Sequence, residues 1–110
     1  MLQGVDTLTH ELKAVINKYH TEYPDVRMGK DYFPLKIAEE WGECLQAYLM
    51  LTDRGRQKSK TKDEIRDMLS EELADVFAYL FLFADSQEID ITTAISQKWL
   101  SYLKKGGRNK

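Results

Sequence analysis

Both prolines of the chain, Pro24 and Pro34, lie in its first third, so no proline interrupts helix formation over residues 35–110. Apolar residues recur there at three- and four-residue intervals, which is the period of an amphipathic helix. No alternation of period two lasts long enough to predict a strand. We therefore predict an all-α fold, a bundle of four to five helices that forms one domain over residues 1–110.

The pattern predicts four main helices, at about residues 6–19, 34–51, 63–85 and 91–103. Asp6 or Thr7 is a suitable cap for the first helix, and Asp90 for the last. The basic stretch Arg54–Lys62 has almost nothing to bury, so we expect an exposed connection there. Residues 104–110 are expected to fray.

The second and third helices each carry an apolar stripe that we predict to face the core. The stripes comprise Leu35, Ala38, Trp41, Leu45, Tyr48 and Leu49 in the second helix, and Ile65, Met68, Leu69, Leu73, Val76, Phe77 and Leu80 in the third. Between Val76 and Ala84 the third helix is apolar on nearly all sides, yet this run is too short to cross a bilayer. We therefore expect a homo-oligomer that buries these helix faces.

Charge and cysteine content indicate which partners are not expected and in which cellular compartment the protein is expected. The formal net charge is −2, which gives no general attraction to nucleic acid or to an anionic membrane, and we predict neither as a partner. Cys44 is the only cysteine, so no internal disulfide forms, and we interpret it as a small core residue. With no basic region followed by an apolar run at the N-terminus, the expected location is the cytoplasm.

Two acidic segments interrupt the apolar stripes, and each contains two carboxylates three residues apart: Glu40 with Glu43, and Glu72 with Asp75. Three helical residues advance by about 4.5 Å and leave the side chains about 60° apart, so each pair projects toward one place. If both helices pack by these faces, the carboxylates converge at the edge of the core. Gly42 leaves a gap beside Glu43 where a backbone or a ligand can approach.

Converging carboxylates need compensation, because two like charges about 4 Å apart repel by roughly 4 kcal/mol at an effective dielectric of 20. All the candidate ligands are oxygens, which favours Mg²⁺, with Mn²⁺ as the alternative, over zinc. Spacing alone leaves a solvated acidic face open as a second interpretation. A di-iron site is disfavoured, because it needs Glu-x-x-His pairs and His10 and His20 lie in neither acidic segment.

The order Glu-Glu-x-x-Glu followed by Glu-x-x-Asp resembles the signature of the MazG-like, all-α nucleotide pyrophosphohydrolases. The resemblance spans residues 32–103, and its further matching features are Pro34–Ala38, Gly42, Glu71–Val76, Ile89-Asp90 and Lys98. Two features depart from that family: Tyr102 stands where the family often has Asn, four residues after the lysine, and the connection between the motifs, Cys44–Glu71, is at the long end for the family.

This resemblance implies Mg²⁺-dependent hydrolysis of a (d)NTP to the (d)NMP and pyrophosphate, by a dimer or a dimer of dimers. It implies that the metal ligands are Glu40, Glu43, Glu72 and Asp75. Glu39 would orient or activate the attacking water, and Lys98 would contact phosphate. For the base, the flat side chains that are candidates for stacking are Tyr32, Phe33, Trp41 and Tyr79.

Two other functions stay open at this point. The chain could be a phosphoribosyl-ATP-type pyrophosphohydrolase, which acts on a different nucleotide. Alternatively, it could be a non-catalytic helical module that binds nucleotides or another protein and keeps the motif without turnover.

Overall fold

The computed structural model describes residues 2–104, and its elements are helical throughout. In chain order these are α1 (Leu2–Glu22), α2 (Tyr32–Leu51), α3 (Lys62–Ser86), α4 (Ile91–Ile95), a π-helical segment (Ser96–Leu100) and α5 (Ser101–Lys104). No strand occurs within residues 2–104, so the predicted all-α fold with four to five helices is confirmed. Apart from Lys104, the tail that was expected to fray lies outside the described residues.

Helix α1 is longer than the sequence pattern predicts. It begins at Leu2, so the prediction that Asp6 or Thr7 caps it was wrong, and both residues lie inside the helix. A polar side chain caps a helix only where the chain before it leaves the helical conformation, and here the preceding residues stay helical. At the other end the helix continues to Glu22.

The connection between α2 and α3 folds back on the end of α2. The side-chain amide of Gln57 donates to the carbonyl oxygens of Met50 at 2.8 Å and of Gly55 at 3.0 Å. The Lys62 ammonium donates to the carbonyl of Leu51 at 3.0 Å. The bonds to Met50 and Leu51 add donors to carbonyls in the last turn of α2, where the helix has no further amides of its own to supply. The basic side chains of the connection are exposed, as predicted.

The last helical stretch is divided, whereas the sequence predicts one helix. Asp90 caps α4 as predicted: its carboxylate accepts from the hydroxyl of Thr93 at 2.8 Å and from the amide of Thr93 at 3.2 Å. These bonds hold the pKa of Asp90 below its ordinary value. The amide of Ser101 donates to the carbonyl of Ser96, five residues back, which is the π-helical pattern. Lys98 lies within this segment.

The chain divides into two compact units. Among residues 2–104, one comprises residues 2–23 together with 81–104, and the other comprises Pro24–Leu80. The second unit holds α2, most of α3 and both acidic segments. Its buried apolar residues are Cys44, Ala47, Met50, Ile65 and Val76. Cys44 is therefore the core residue that we predicted.

The buried face of α2 is not the predicted stripe. Within α2 the buried residues are Glu40, Cys44, Ala47 and Met50, whereas the large apolar residues of the stripe are exposed, at 62% for Leu35, 48% for Trp41, 41% for Leu45, 45% for Tyr48 and 40% for Leu49. On α3, Leu73, Phe77 and Leu80 are also exposed. Assigning these residues to the core of a single chain was wrong. The buried face of α2 includes the small side chains of Cys44 and Ala47, and the large apolar side chains of the stripe stay outside.

Within the described residues, no helix combines the length and the apolar character needed to cross a membrane.

Candidate metal centre

Carboxylates from α2 and α3 converge in the Pro24–Leu80 unit. One oxygen from each of Glu40, Glu43 and Glu72 lies within 4.8 Å of the other two, and we call these three residues the acidic cluster. Glu40 and Glu43 project together because they are three residues apart on α2, and α3 supplies Glu72 from the facing side. The structure thus brings together three of the four predicted ligands.

Asp75, the fourth predicted ligand, lies at the edge of this group. Its side chain is exposed, and it is not among the three residues whose oxygens meet within 4.8 Å. Its negative charge nevertheless contributes to the raised pKa of both Glu40 and Glu72. Asp75 is therefore close enough to add charge to the cluster.

Burial and mutual repulsion both disfavour the ionised forms of Glu40 and Glu72. Glu40 is only 8% exposed, and the pKa of Glu40 is raised first by this burial and then by the charges of Glu43 and Asp75. The pKa of Glu72 is raised for the same reasons in the same order. Two carboxyls with raised pKa values on facing helices call for a compensating charge.

One oxygen of the cluster lacks a partner. Oε1 of Glu72 is buried, and no donor among residues 2–104 forms a hydrogen bond with it. A carboxylate oxygen can only accept, so a buried one without a donor has no compensation from the protein. A hard divalent cation would supply it, and a set of carboxylate oxygens matches Mg²⁺ or Mn²⁺. The residues present therefore fit such an ion.

Lys36 is the functional candidate that the sequence prediction missed. Its ammonium donates to Oε1 of Glu39 at 2.6 Å and lies 3.5 Å from Oε2 of Glu40. The same ammonium lies 5.8 Å from the centre of the Tyr79 ring. The signal was available, because a lysine three and four residues before two glutamates on a helix can reach both of them.

Glu39 stands apart from the acidic cluster. Its side chain is 55% exposed and is bound to the Lys36 ammonium. A carboxylate engaged in this way is oriented by the lysine, and it keeps acceptor positions for a water molecule.

Three of the four predicted base contacts pack on one another. The rings of Tyr32, Phe33 and Tyr79 lie with centroids 5.8 to 6.3 Å apart in tilted or edge-on arrangements. Burial, and then a hydrogen bond with Tyr32, raise the pKa of Tyr79 above its ordinary value. These rings therefore form one aromatic cluster beside Lys36, with their faces partly covered by one another.

Trp41, the fourth predicted base contact, has a different setting. It is 48% exposed and lines an apolar groove of about 570 Å³ between α2 and α3. The residues that line the groove are Pro34, Ile37, Ala38, Trp41, Leu73, Val76, Phe77 and Leu80. This groove offers an open apolar surface, which the three packed rings do not.

Lys98 belongs to the other compact unit, where its side chain is exposed in the π-helical segment. Its predicted contact with phosphate therefore stays a prediction. His10 and His20 are both exposed, and neither belongs to the acidic cluster.

The fold and the site define this chain as an all-α protein with a carboxylate cluster shared by two helices. No protein-family model matches the chain, and no curated protein or solved structure matches it. The resemblance to the MazG-like family therefore rests on the motif residues themselves.

Proposed function

We propose that this protein is a Mg²⁺-dependent nucleotide pyrophosphohydrolase that converts a (d)NTP to the (d)NMP and pyrophosphate. The observation that carries the proposal is the acidic cluster, whose three carboxylates meet within 4.8 Å and leave a buried oxygen of Glu72 without a donor. The nucleotide substrate is proposed because the order of the motif residues resembles the signature of the MazG-like pyrophosphohydrolases.

In this proposal Glu40, Glu43 and Glu72 hold the ion, with Asp75 adding a further carboxylate from α3. When bound, Mg²⁺ would supply positive charge to the phosphate oxygens at the reacting centre. Glu39, held by Lys36, directs its free oxygen toward the attacking water.

Lys98 is proposed as the contact that offsets negative charge on the leaving pyrophosphate. The base is proposed to contact aromatic side chains of the Pro24–Leu80 unit. Trp41 is half exposed in the apolar groove, so it can contact the base only where a second copy of the chain leaves this ring uncovered. The cluster of Tyr32, Phe33 and Tyr79 would offer ring edges to the nucleotide.

We further propose that the protein is a homo-oligomer, either a dimer or a dimer of dimers, that acts in the cytoplasm. The apolar groove supports this, since Trp41 and Phe77 are about half exposed and Leu80 is 39% exposed. A contiguous apolar surface of this kind gains stability when a second copy of the chain covers it.

The test is pyrophosphate release from all ribo- and deoxynucleoside triphosphates, with Mg²⁺ and with a chelator. Glu43→Gln and Glu72→Gln should each lower turnover by roughly 100-fold, since each removes one charge from the site. Glu71→Gln is the matched control, because Glu71 is the exposed neighbour of Glu72 and lies outside the cluster. If the protein hydrolyses phosphoribosyl-ATP but none of the triphosphates, it is a phosphoribosyl-ATP-type pyrophosphohydrolase instead.

Binding of a non-hydrolysable nucleotide with Mg²⁺ but without turnover of any substrate would favour the non-catalytic module. If the wild-type protein binds neither Mg²⁺ nor a nucleotide, the proposal is wrong.

A further inference from the structure

Lys36 holds an unusual position for a lysine. Its side chain is only 26% exposed, whereas lysines in most proteins lie in water. The ammonium is in contact with two carboxylates, Glu39 and Glu40, and lies near the ring of Tyr79. A long flexible side chain that is anchored by three groups loses rotamer freedom, so its charge has a fixed place at the edge of the acidic cluster.

Lys36 forms an ion pair with one member of the acidic cluster, Glu40. Among the ion pairs formed within residues 2–104, the one between Lys36 and Glu40 is the only one that involves a member of the acidic cluster. Glu43 and Glu72 are thus left without a cationic partner in the described chain. The protein supplies one positive charge to a group of several carboxylates, and it supplies that charge through Glu40.

An ion held by Glu40, Glu43 and Glu72 would have to share Glu40 with this ammonium. We propose that Lys36 is a built-in counter-ion, which competes with a divalent cation for Glu40 and thereby limits the metal affinity of the acidic cluster. The inference rests on the proposed function, because it requires the acidic cluster to be a divalent-cation site. Lys36 is then a positioning residue, since it acts on the ion through Glu40.

A functional consequence follows for the substrate. The polyphosphate chain of a nucleotide is an alternative anionic partner for the ammonium. When such a chain is present, Lys36 can leave Glu40 to the ion. The acidic cluster therefore favours a cation that arrives together with phosphates over the free cation.

The size of the effect follows from charge and distance. A unit charge and a divalent cation about 6 Å apart in a water-like dielectric repel enough to change the affinity about tenfold. Replacing Lys36 with an uncharged residue should therefore tighten the binding of the free ion by about tenfold.

The test is the affinity for Mn²⁺ alone, measured by calorimetry and by the loss of the free-ion signal in electron paramagnetic resonance. The variants are Lys36→Met, which keeps much of the apolar stem, Lys36→Gln, in case the first does not fold, and Lys36→Arg, which keeps the charge. Lys13→Met is the matched control, because Lys13 pairs with Asp85 at 3.1 Å in the other unit. Thermal melts establish that each variant is folded.

We expect Lys36→Met and Lys36→Gln to bind Mn²⁺ about tenfold more tightly than the wild type, and Lys36→Arg and Lys13→Met to bind it as the wild type does. If Lys36 only supported the structure, both neutral variants would bind Mn²⁺ more weakly.

Unchanged or weaker binding in the neutral variants, alongside Mn²⁺ binding in the wild type, would overturn the role of Lys36 and leave the proposed metal site standing. If wild type and Glu72→Gln both fail to bind Mn²⁺, the metal site itself is wrong, and this inference falls with it.

Discussion

Glu40 in α2 and Glu72 in α3 bring carboxylate oxygens within 4.8 Å of each other. Both carboxyls lose hydration in this position, and both are repelled by Glu43 and Asp75, so the pKa of each is raised. Two helices thus meet through groups that destabilise the contact when they are ionised. Stability without metal and the capacity to bind metal should therefore change in opposite directions when one of these charges is removed.

Glu72→Gln should stabilise the metal-free protein by about 1 kcal/mol, because it removes a like charge near Glu40 and Glu43. For a domain of this size the melting temperature should rise by roughly 4 °C or more. The same substitution should abolish the stabilisation that added Mg²⁺ or Mn²⁺ gives to the wild type. Thermal melts with a chelator and with each ion measure both effects.

Glu71→Gln is the control, because it removes the same charge one position earlier on α3, at an exposed residue outside the cluster. Its melting temperature in chelator and its melting temperature with added ion should both be close to those of the wild type. A loss of stability in metal-free Glu72→Gln would show that the Glu72 carboxylate is compensated within the protein.

The pH dependence of stability follows from the raised pKa values of Glu40 and Glu72. Between their ordinary value of 4.5 and the raised values, the folded protein binds more protons than the unfolded chain. The free energy of unfolding should therefore fall as the pH rises through this window. Above the window, both carboxyls are ionised and their full destabilising effect should be present. In chelator, the advantage of Glu72→Gln over wild type should be largest near neutral pH and should shrink toward pH 4.5.

Chemical denaturation across this pH range, with and without Mn²⁺, checks the sign. Saturating Mn²⁺ should remove the fall in wild-type stability with rising pH, because the ion compensates the charges of Glu40 and Glu72. An advantage of Glu72→Gln that grows as the pH falls would contradict the assignment.

Gly42→Ala should stabilise α2. A Cβ atom at position 42 would meet nothing within 4 Å, so the substitution gains up to about 1 kcal/mol of helix propensity without a clash. Gly4→Ala in α1 is the matched control, since a Cβ there also meets nothing within 4 Å. Thermal melts of the metal-free protein measure both. Destabilisation by Gly42→Ala alone would contradict this expectation and indicate that a second copy of the chain approaches the helix at Gly42.

The sequence was sufficient where the structure depends on local spacing. No proline follows Pro34, and the apolar residues recur with the helical period. From these two features the predicted ends of α2 and α3 lie within two residues of the observed ends. The three-residue separation of Glu40 and Glu43 predicts that they project together, and the Asp90 cap is a local motif as well. These features need only neighbouring residues, so a single sequence contains them.

The sequence was insufficient where the structure depends on which of two faces is buried. On α2 the large apolar stripe competes with the face of Cys44, Ala47 and Met50, and hydropathy alone favours the larger side chains. Which face is buried depends on how closely the facing helix can approach, and no local pattern records that distance. Similarly, the π-helical break at Ser96–Leu100 has no local signal such as a proline or a glycine.

The exposed stripe leads to a last prediction, on assembly. Leu80→Arg places a charge in the apolar groove between α2 and α3, where Leu80 is 39% exposed, so the single chain can accommodate it. If a second copy covers the groove, this charge would be buried without a partner, and the oligomer should dissociate. Sedimentation velocity measures the change. Val15→Arg, at a 62% exposed position on α1, should leave the assembly intact. Wild type that sediments as a monomer, or Leu80→Arg that sediments as wild type, would exclude this groove as the interface.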